Sequence, residues 1–244
     1  MGALNVPKVG DYINTHFAAS YQKVATFKIV GARKQGGNVA SYFCAPDGRV
    51  LHAIAGPVDA DTYLREATWV VETTKTAMKE TKGDGAKFKE YFRKAHARKL
   101  QEETGLTVEA ITWDPPEQGE KDALTYSDPS GRPLAPKLPP PPIDGPDVRL
   151  GEAEFNKRQD QANAAPGARA MEVGGGKGGG PGRRVVVNNQ AIMHQILAAH
   201  SLTRIEKVYG SVFENVLGEK ISTKPVDVVR PFSWVDRDGN RLAK

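Results

Sequence analysis

Val39-Ala-Ser-Tyr-Phe-Cys44 and Val50-Leu-His-Ala-Ile-Ala55 are two β-prone runs on either side of a Pro46-Asp47-Gly48 corner. Proline presets a turn-like φ, aspartate bonds its own backbone and glycine supplies positive φ, so the stretch predicts an antiparallel hairpin. Gly56-Pro57 breaks the second strand, and Asp59 is a good helix N-cap, with Asp61 adding charge where the helix dipole favours it. From there Tyr63, Leu64, Ala67, Val70, Val71, Thr74 and Met78 recur at helical spacing. That helix lays its apolar face over the hairpin, while Trp69 lies off the stripe and covers a neighbouring element.

Working outward, Pro7 to Phe17 reads as a helix with Val9, Tyr12, Ile13 and Phe17 on one side, and Pro7 suits its first turn. Ala18 to Val30 reads as a strand, followed by a polar, basic connection from Gly31 to Gly37. Lys82-Gly-Asp-Gly85 stops the helix that follows the hairpin. A second helix, Ala86 to Glu103, carries Phe88, Tyr91, Phe92, Ala95 and Leu100 beneath basic residues.

The chain has 244 residues, enough for one large domain or two small ones, with 39% hydrophobic residues and a net charge of +5. The dense basic run is Lys75 to Lys99, nine Lys/Arg against three acids. It reads as a solvated helix face. Nucleic-acid binding is not expected, because no zinc-finger, helix-turn-helix or RNP-like pattern accompanies it. No apolar stretch approaches the roughly 20 residues that span a bilayer, and the N-terminus lacks a signal peptide's apolar region. A cytoplasmic protein is expected. A lone cysteine, Cys44, precludes an intrachain disulfide.

From Trp113 to Arg184 the composition changes, with Pro115-Pro116, Pro139 to Pro142, Pro146 and the glycine run Gly174 to Gly182. Large apolar residues are scarce there, so little burial is on offer against the entropy of ordering. A disordered linker is expected, with a brief helical turn around Gly151 to Gln161. Order returns at Asn188. Ile192, Met193, Ile196, Leu197 and His200 form one helical stripe. Thr203 with Glu206 reads as a capping box opening a second, which runs from Ile205 through Val208, Tyr209, Val212, Phe213, Val216 and Leu217 to Gly218. This helical hairpin is too small to stand alone, so the Ile205–Leu217 face must meet the first domain, a second copy or a partner. The tail reads as a small β-hairpin around Asp236-Arg-Asp-Gly239.

Tyr12-Ile-Asn-Thr-His-Phe17 leading into a strand, Tyr42-Phe-Cys-Ala-Pro-Asp-Gly-Arg-Val-Leu51, Ala55-Gly56 and the helix from Asp59 resemble the second half of a thioredoxin-like domain. The resemblance covers residues 7–78. It implies an α/β sheet whose last two strands form the hairpin and whose final helix closes it. The redox members' Cys-x-x-Cys has no counterpart here, and the position of their cis-proline is Val39. The family's first strand lies between the second and third, so its loss leaves two unpaired edges.

No catalytic, cofactor or metal constellation stands out. Cys44 sits in an apolar strand and reads as structural. The histidines His16, His52, His96, His194 and His200 are scattered singly; His194 and His200, six apart, do not share a helical face, and His52 reads as capping a sheet face. Lys177 within the glycine run lacks the P-loop spacing, Gly36-Gly37 precedes a strand rather than a helix, and Asp236-Arg-Asp-Gly-Asn240 lacks a calcium loop's bidentate Glu.

The expected architecture is therefore α/β: a partial thioredoxin-like sheet with flanking helices over 1–105, a disordered linker over 106–187, and a helical hairpin with a short tail over 188–244. The expected function is a non-catalytic interaction or scaffold module, with a protein partner or self-association through the Ile205–Leu217 face. The alternative is a thiol-disulfide oxidoreductase that uses Cys44 or a Cys-x-x-Cys lying upstream of Met1.

Overall fold

A computed structural model of the chain describes residues 2–24, 28–30, 33–35, 38–113, 126–127, 133–134, 138–173, 182–219, 221 and 227–229. Pro7 occupies the first turn of α1 (Pro7–His16), where its missing N–H has no partner to lose. Two short strands follow, β1 (Lys28–Val30) and β2 (Arg33–Gln35), then the hairpin strands β3 (Ala40–Cys44) and β4 (Val50–Ala55). The helices α2 (Ala60–Thr81) and α3 (Gly85–Thr104) come next, and β5 (Leu106–Val108) leaves α3. The strands β6 (Tyr126–Ser127), β7 (Pro133–Leu134) and β8 (Ile143–Pro146) precede α4 (Glu152–Ala164). The chain continues through β9 (Arg169–Val173), β10 (Arg183–Val187), α5 (Asn189–Ala199) and α6 (Ile205–Ser211). A π turn over Val212–Val216 extends α6, and the last described strand is β11 (Asp227–Val229).

The hairpin forms as expected. β3 and β4 pair antiparallel, with Ala40 opposite Ala55 and Phe43 opposite His52, and Gly48 turns the corner at φ +83°. Asp59 caps α2 by accepting from Thr62 N at 2.7 Å, and Asp84 caps α3 by accepting from the amides of Ala86 and Lys87. A bulge between Phe43 and Cys44 shifts the register by one residue, so that Cys44 faces Val50. Alternation would otherwise put Val50 on the same face as His52 and Ile54; the extra residue sends Val50 to the opposite side.

Two apolar cores result. One joins Phe43, Leu51 and Ile54 to Val9 and Ile13 of α1, Tyr63, Ala67 and Val70 of α2, and Phe92 of α3. The other joins Val50, Ala53 and Ala55 to Leu100, α5 and α6. Helix α5 is buried along nearly its whole length, from Asn189 to Ala199 with Gln190 half-buried. Met193, Ile196 and Leu197 are at most 1% exposed, and each such burial contributes roughly 1.5–3 kcal/mol.

The linker reading of 106–187 does not hold over its described residues. Leu106, Leu138, Phe155, Val173, Val185 and Val187 all enter the α5 core. β5 pairs with β8, and β9 pairs with β10. α4 forms where a brief helical turn was expected, and Gln159 both donates to Thr104 O and accepts from Val186 N. The local scarcity of apolar residues is offset by a surface that distant segments provide. The Gly174 to Pro181 run, with Lys177, and residues 114–125 lie outside the described residues.

The helical hairpin also has a home. Val208, Val212, Phe213 and Val216 are buried within the chain, and the π turn packs on β4 and α5. The Ile205–Leu217 face, expected to bind a partner, is thus largely covered by the chain's own core. The Thr203 capping box does not form: Thr203 Oγ1 donates to His200 O, and Arg204 holds the cap position with no side-chain bond. Gly218 ends the stripe at φ +65°.

Two strand expectations change. Of the strand read over Ala18 to Val30, the described residues show Lys28–Val30 as strand and 18–24 as irregular, while 25–27 lie outside the described residues. The polar connection Gly31 to Gly37 itself contains β2. From the tail, β11 pairs in parallel with β1, which also takes β2 antiparallel; Asp236 to Asn240 lies outside the described residues.

The ordered state of 138–173 has a direct test. Gly105 closes α3 at φ +74°, and a Cβ there would meet Phe155 Cδ2 at 2.9 Å and Leu150 Cδ1 at 3.1 Å. Gly48 has similar φ but nothing within 4 Å. In urea unfolding, Gly48→Ala should cost ~1 kcal/mol for φ alone, and Gly105→Ala about 1–3 kcal/mol more. Equal losses would mean that α4 does not pack there.

Candidate functional site

Four elements bring polar side chains to one buried point between the two cores. β4 supplies His52, α2 supplies Glu66 and Trp69, α3 supplies His96 and Glu103, and α5 supplies His194 and Gln190. His52, Glu66 and His194 have no solvent exposure, and His96 has 1%. Trp69 walls the cluster, its ring 5.1 Å from those of His52 and His96 and 5.4 Å from that of His194. The His52 and His194 rings stack at 4.8 Å.

The hydrogen bonds assign the protons. His96 Nε2 lies 2.9 Å from Leu51 O, and a carbonyl only accepts, so His96 carries its proton on Nε2. Its bare Nδ1 then accepts from His194 Nδ1–H at 2.9 Å. His194 Nε2 is left as a lone pair, 3.9 Å from Glu66 Oε2 and without a hydrogen-bond partner. Gln190 donates to Ala53 O at 3.0 Å, which fixes its amide orientation, and the same nitrogen stands 3.1 Å from His52 Nε2. His52 Nε2 accepts from that amide when the ring is neutral, and when the ring is charged it faces Glu66 Oε2 at 3.3 Å as a donor.

Burial governs the electrostatics. It pushes His96 down to about 3, aided by charge at His52 and resisted by the Leu51 carbonyl. It drives His194 well below the usual histidine value, with His52 and His96 adding to the effect. Burial also pushes Glu66 up, but a charged His52 ring beside it, with Lys99 and Arg65, holds it below the usual carboxylate range. The Glu66 carboxylate is ionised because positive charge shares its site. Glu103 is raised by burial and by Glu66, against the pull of Lys99 3.1 Å away.

The histidines read as scattered therefore divide. His52, His96 and His194 converge, and His52 lies inside the molecule rather than capping an outer sheet face. His16 is exposed at the end of α1, beside Tyr12. His200 ties two segments to the end of α5, its ring nitrogens 3.1 Å from Trp113 O and 2.8 Å from Pro139 O. A signal was present in the sequence: His96 falls on the Phe92–Leu100 stripe, Glu66 on the Tyr63–Val70 stripe, and His194 between Met193 and Ile196-Leu197 on the apolar stripe of α5. Titratable residues at core positions of three different helices need one another as partners.

Cys44 is half-buried, and its thiol is pushed up from 9.0 to about 11 by burial, then by Glu206 and Asp47. A raised thiol is a poor nucleophile near neutrality. At least five of the nine cations in the basic run Lys75 to Lys99 pair within their own helices: Lys75 with Glu72, Lys87 with Asp84, Arg93 and Lys94 with Glu90, and Lys99 with Glu103. No described helix is long and apolar enough to cross a membrane.

Iodoacetamide labelling of Cys44 in the native protein should be slow at neutral pH and keep accelerating through the alkaline range, with a midpoint near 11. The sign for stability follows. The unfolded thiol ionises first as pH rises past 9.0 while the folded one stays protonated, so this group's contribution is full below that point and is lost toward about 11. A labelling midpoint below about 8.5 would reopen the oxidoreductase alternative.

Comparison with protein-family models, with curated proteins and with solved structures returns no match for this chain.

Proposed function

We propose that this chain is a non-catalytic scaffold that binds an extended, apolar peptide segment of a protein partner along the outer edge of β3. The thioredoxin-like reading belongs to the same proposal and is supported by the antiparallel β3–β4 hairpin, its Pro-Asp-Gly corner and the α2 cover. The observation that carries the function is the open edge. Among the described residues β3 pairs only with β4. Gly56 N bonds Val39 O, so by antiparallel alternation Ala40 and Tyr42 turn their backbone N–H and C=O groups away from β4.

That edge lines a groove shared with Phe17, Tyr21, Met78 and Phe88, of which Tyr21 is 83% and Met78 63% exposed. An unpaired edge supplies backbone hydrogen bonds to an added strand, and the apolar flanks select its side chains. Catalysis on a dissolved substrate gains little support, because the converging titratable groups are sealed from solvent. Within this chain the oxidoreductase alternative relies on Cys44, whose thiol is shifted in the unfavourable direction.

Peptides selected from a random extended library should protect the Ala40 and Tyr42 amides from hydrogen exchange when bound. Ala40→Pro removes an outward N–H without breaking a bond to β4, and should weaken those peptides by about tenfold or more. Selection that yields no binder, or only binders that leave both amides unprotected, would overturn the proposal.

A further inference from the structure

We propose that Glu66, His52 and His194 are the ligands of a closed divalent-metal centre of the zinc class, with Glu103 completing the set. The starting point is an electrostatic anomaly. A buried carboxylate oxygen, Glu66 Oε2, faces His52 Nε2 at 3.3 Å and His194 Nε2 at 3.9 Å. With His52 neutral, both nitrogens are lone pairs and three acceptors converge; with His52 charged, its Nε2–H pairs with Glu66 and His194 Nε2 is still left without a partner. Glu66 Oε2 and His194 Nε2 are both buried and without hydrogen-bond partners. Unpaired buried acceptors in mutual contact are costly unless a cation lies between them.

A proton meets the requirement only in part. On Glu66 it can bond one of the two nitrogens and leaves the other unpaired. On His52 Nε2 it points an N–H toward the Gln190 amide nitrogen 3.1 Å away. A divalent ion satisfies Glu66 Oε2 and His194 Nε2, which with Glu103 form one group of atoms within 4.8 Å, and His52 Nε2 stands 3.3 Å from the same carboxylate oxygen. Zinc held at 2.0–2.2 Å by nitrogen and oxygen donors sets adjacent donors about 3.4 Å apart, which the 3.3 and 3.9 Å separations approach. Imidazole donors select zinc-like ions over magnesium or calcium.

The surroundings fit the same assignment. His194 donates its other ring N–H to His96, whose Nε2–H is held by Leu51 O, an outer chain of the kind that orients metal-bound imidazoles. Both His96 nitrogens are engaged in that chain, so His96 is a positioning residue rather than a ligand. Glu103 offers a carboxylate oxygen within 4.8 Å of the ligand atoms of Glu66 and His194, which makes it the candidate for the remaining position. Glu103, partly exposed and paired with Lys99 at 3.1 Å, adds a second carboxylate beside the first. His52, Glu66 and His194 are sealed from solvent, so the centre is structural: it ties β4, α2, α3 and α5 together.

The test uses the full chain stripped with chelator and titrated with Zn2+, and separately with Co2+ as a spectroscopic stand-in. One ion per chain, tetrahedral visible bands with Co2+ and a higher Tm with Zn2+ are expected. Glu66→Gln should weaken Zn2+ binding by on the order of 100-fold. The same variant places an amide N–H2 against the two nitrogen lone pairs, so without metal it should unfold at a higher urea concentration than wild type. No ion bound by the folded wild type, or unchanged Zn2+ affinity in Glu66→Gln, would overturn the proposal. So would a metal-free Glu66→Gln less stable than metal-free wild type, since the carboxylate would then already be satisfied. These outcomes leave the β3-edge proposal untouched, because Ala40 and Tyr42 turn their peptide groups away from this cluster.

Discussion

Helix α5 has almost no face that water can touch, and a buried helix of that kind has to be covered on every side. α3 and β4 cover two sides, α6 with its π turn a third, and Leu138, Phe155, Val185 and Val187 the remainder. That requirement recruits a stretch whose own composition would leave it unfolded. Pro141 O accepts from Gln195 of α5, and His200 holds Trp113 O and Pro139 O, so the proline-rich segment is fastened to the helix by its carbonyls. Proline has no N–H to satisfy, and a proline run in contact with a helix therefore asks only for donors.

The same packing confines a charge. Glu66 lies on the buried face of α2 among Tyr63, Ala67 and Val70, and three histidines arrive from three other elements. Replacing such a cluster with apolar residues would often be neutral or stabilising, whereas removing one member strands the others. Buried ionisable groups from four elements give the fold a single permitted alignment, since a slip of α3 or α5 by one residue separates them. The proposed metal acts through that alignment.

The proposed peptide edge and the proposed metal centre divide the molecule by depth. The deep region, between the two cores, holds the titratable side chains and no solvent; the shallow region, at the β3 edge, holds open backbone groups and exposed Tyr21 and Met78. A rigid interior supports a surface edge whose register stays constant, which is what strand addition needs.

Local chemistry was legible in the sequence. The Pro46-Asp47-Gly48 corner, the Asp59 cap, the span of α2 and α3 and the stripes of α5 and α6 depend on neighbours within a few residues, and the structure places them close to expectation. Thr203 was misread because a local competitor, the His200 carbonyl three residues back, takes its hydroxyl; the pairing of β1 with β11, some 200 residues on, is tertiary. The histidine cluster and the recruitment of 138–173 were beyond any local window. They arise where β4, α2, α3 and α5 cross, and proximity between residues 52, 66, 96 and 194 is a property of that crossing. Periodicity says which face of a helix is buried; only packing decides what it is buried against.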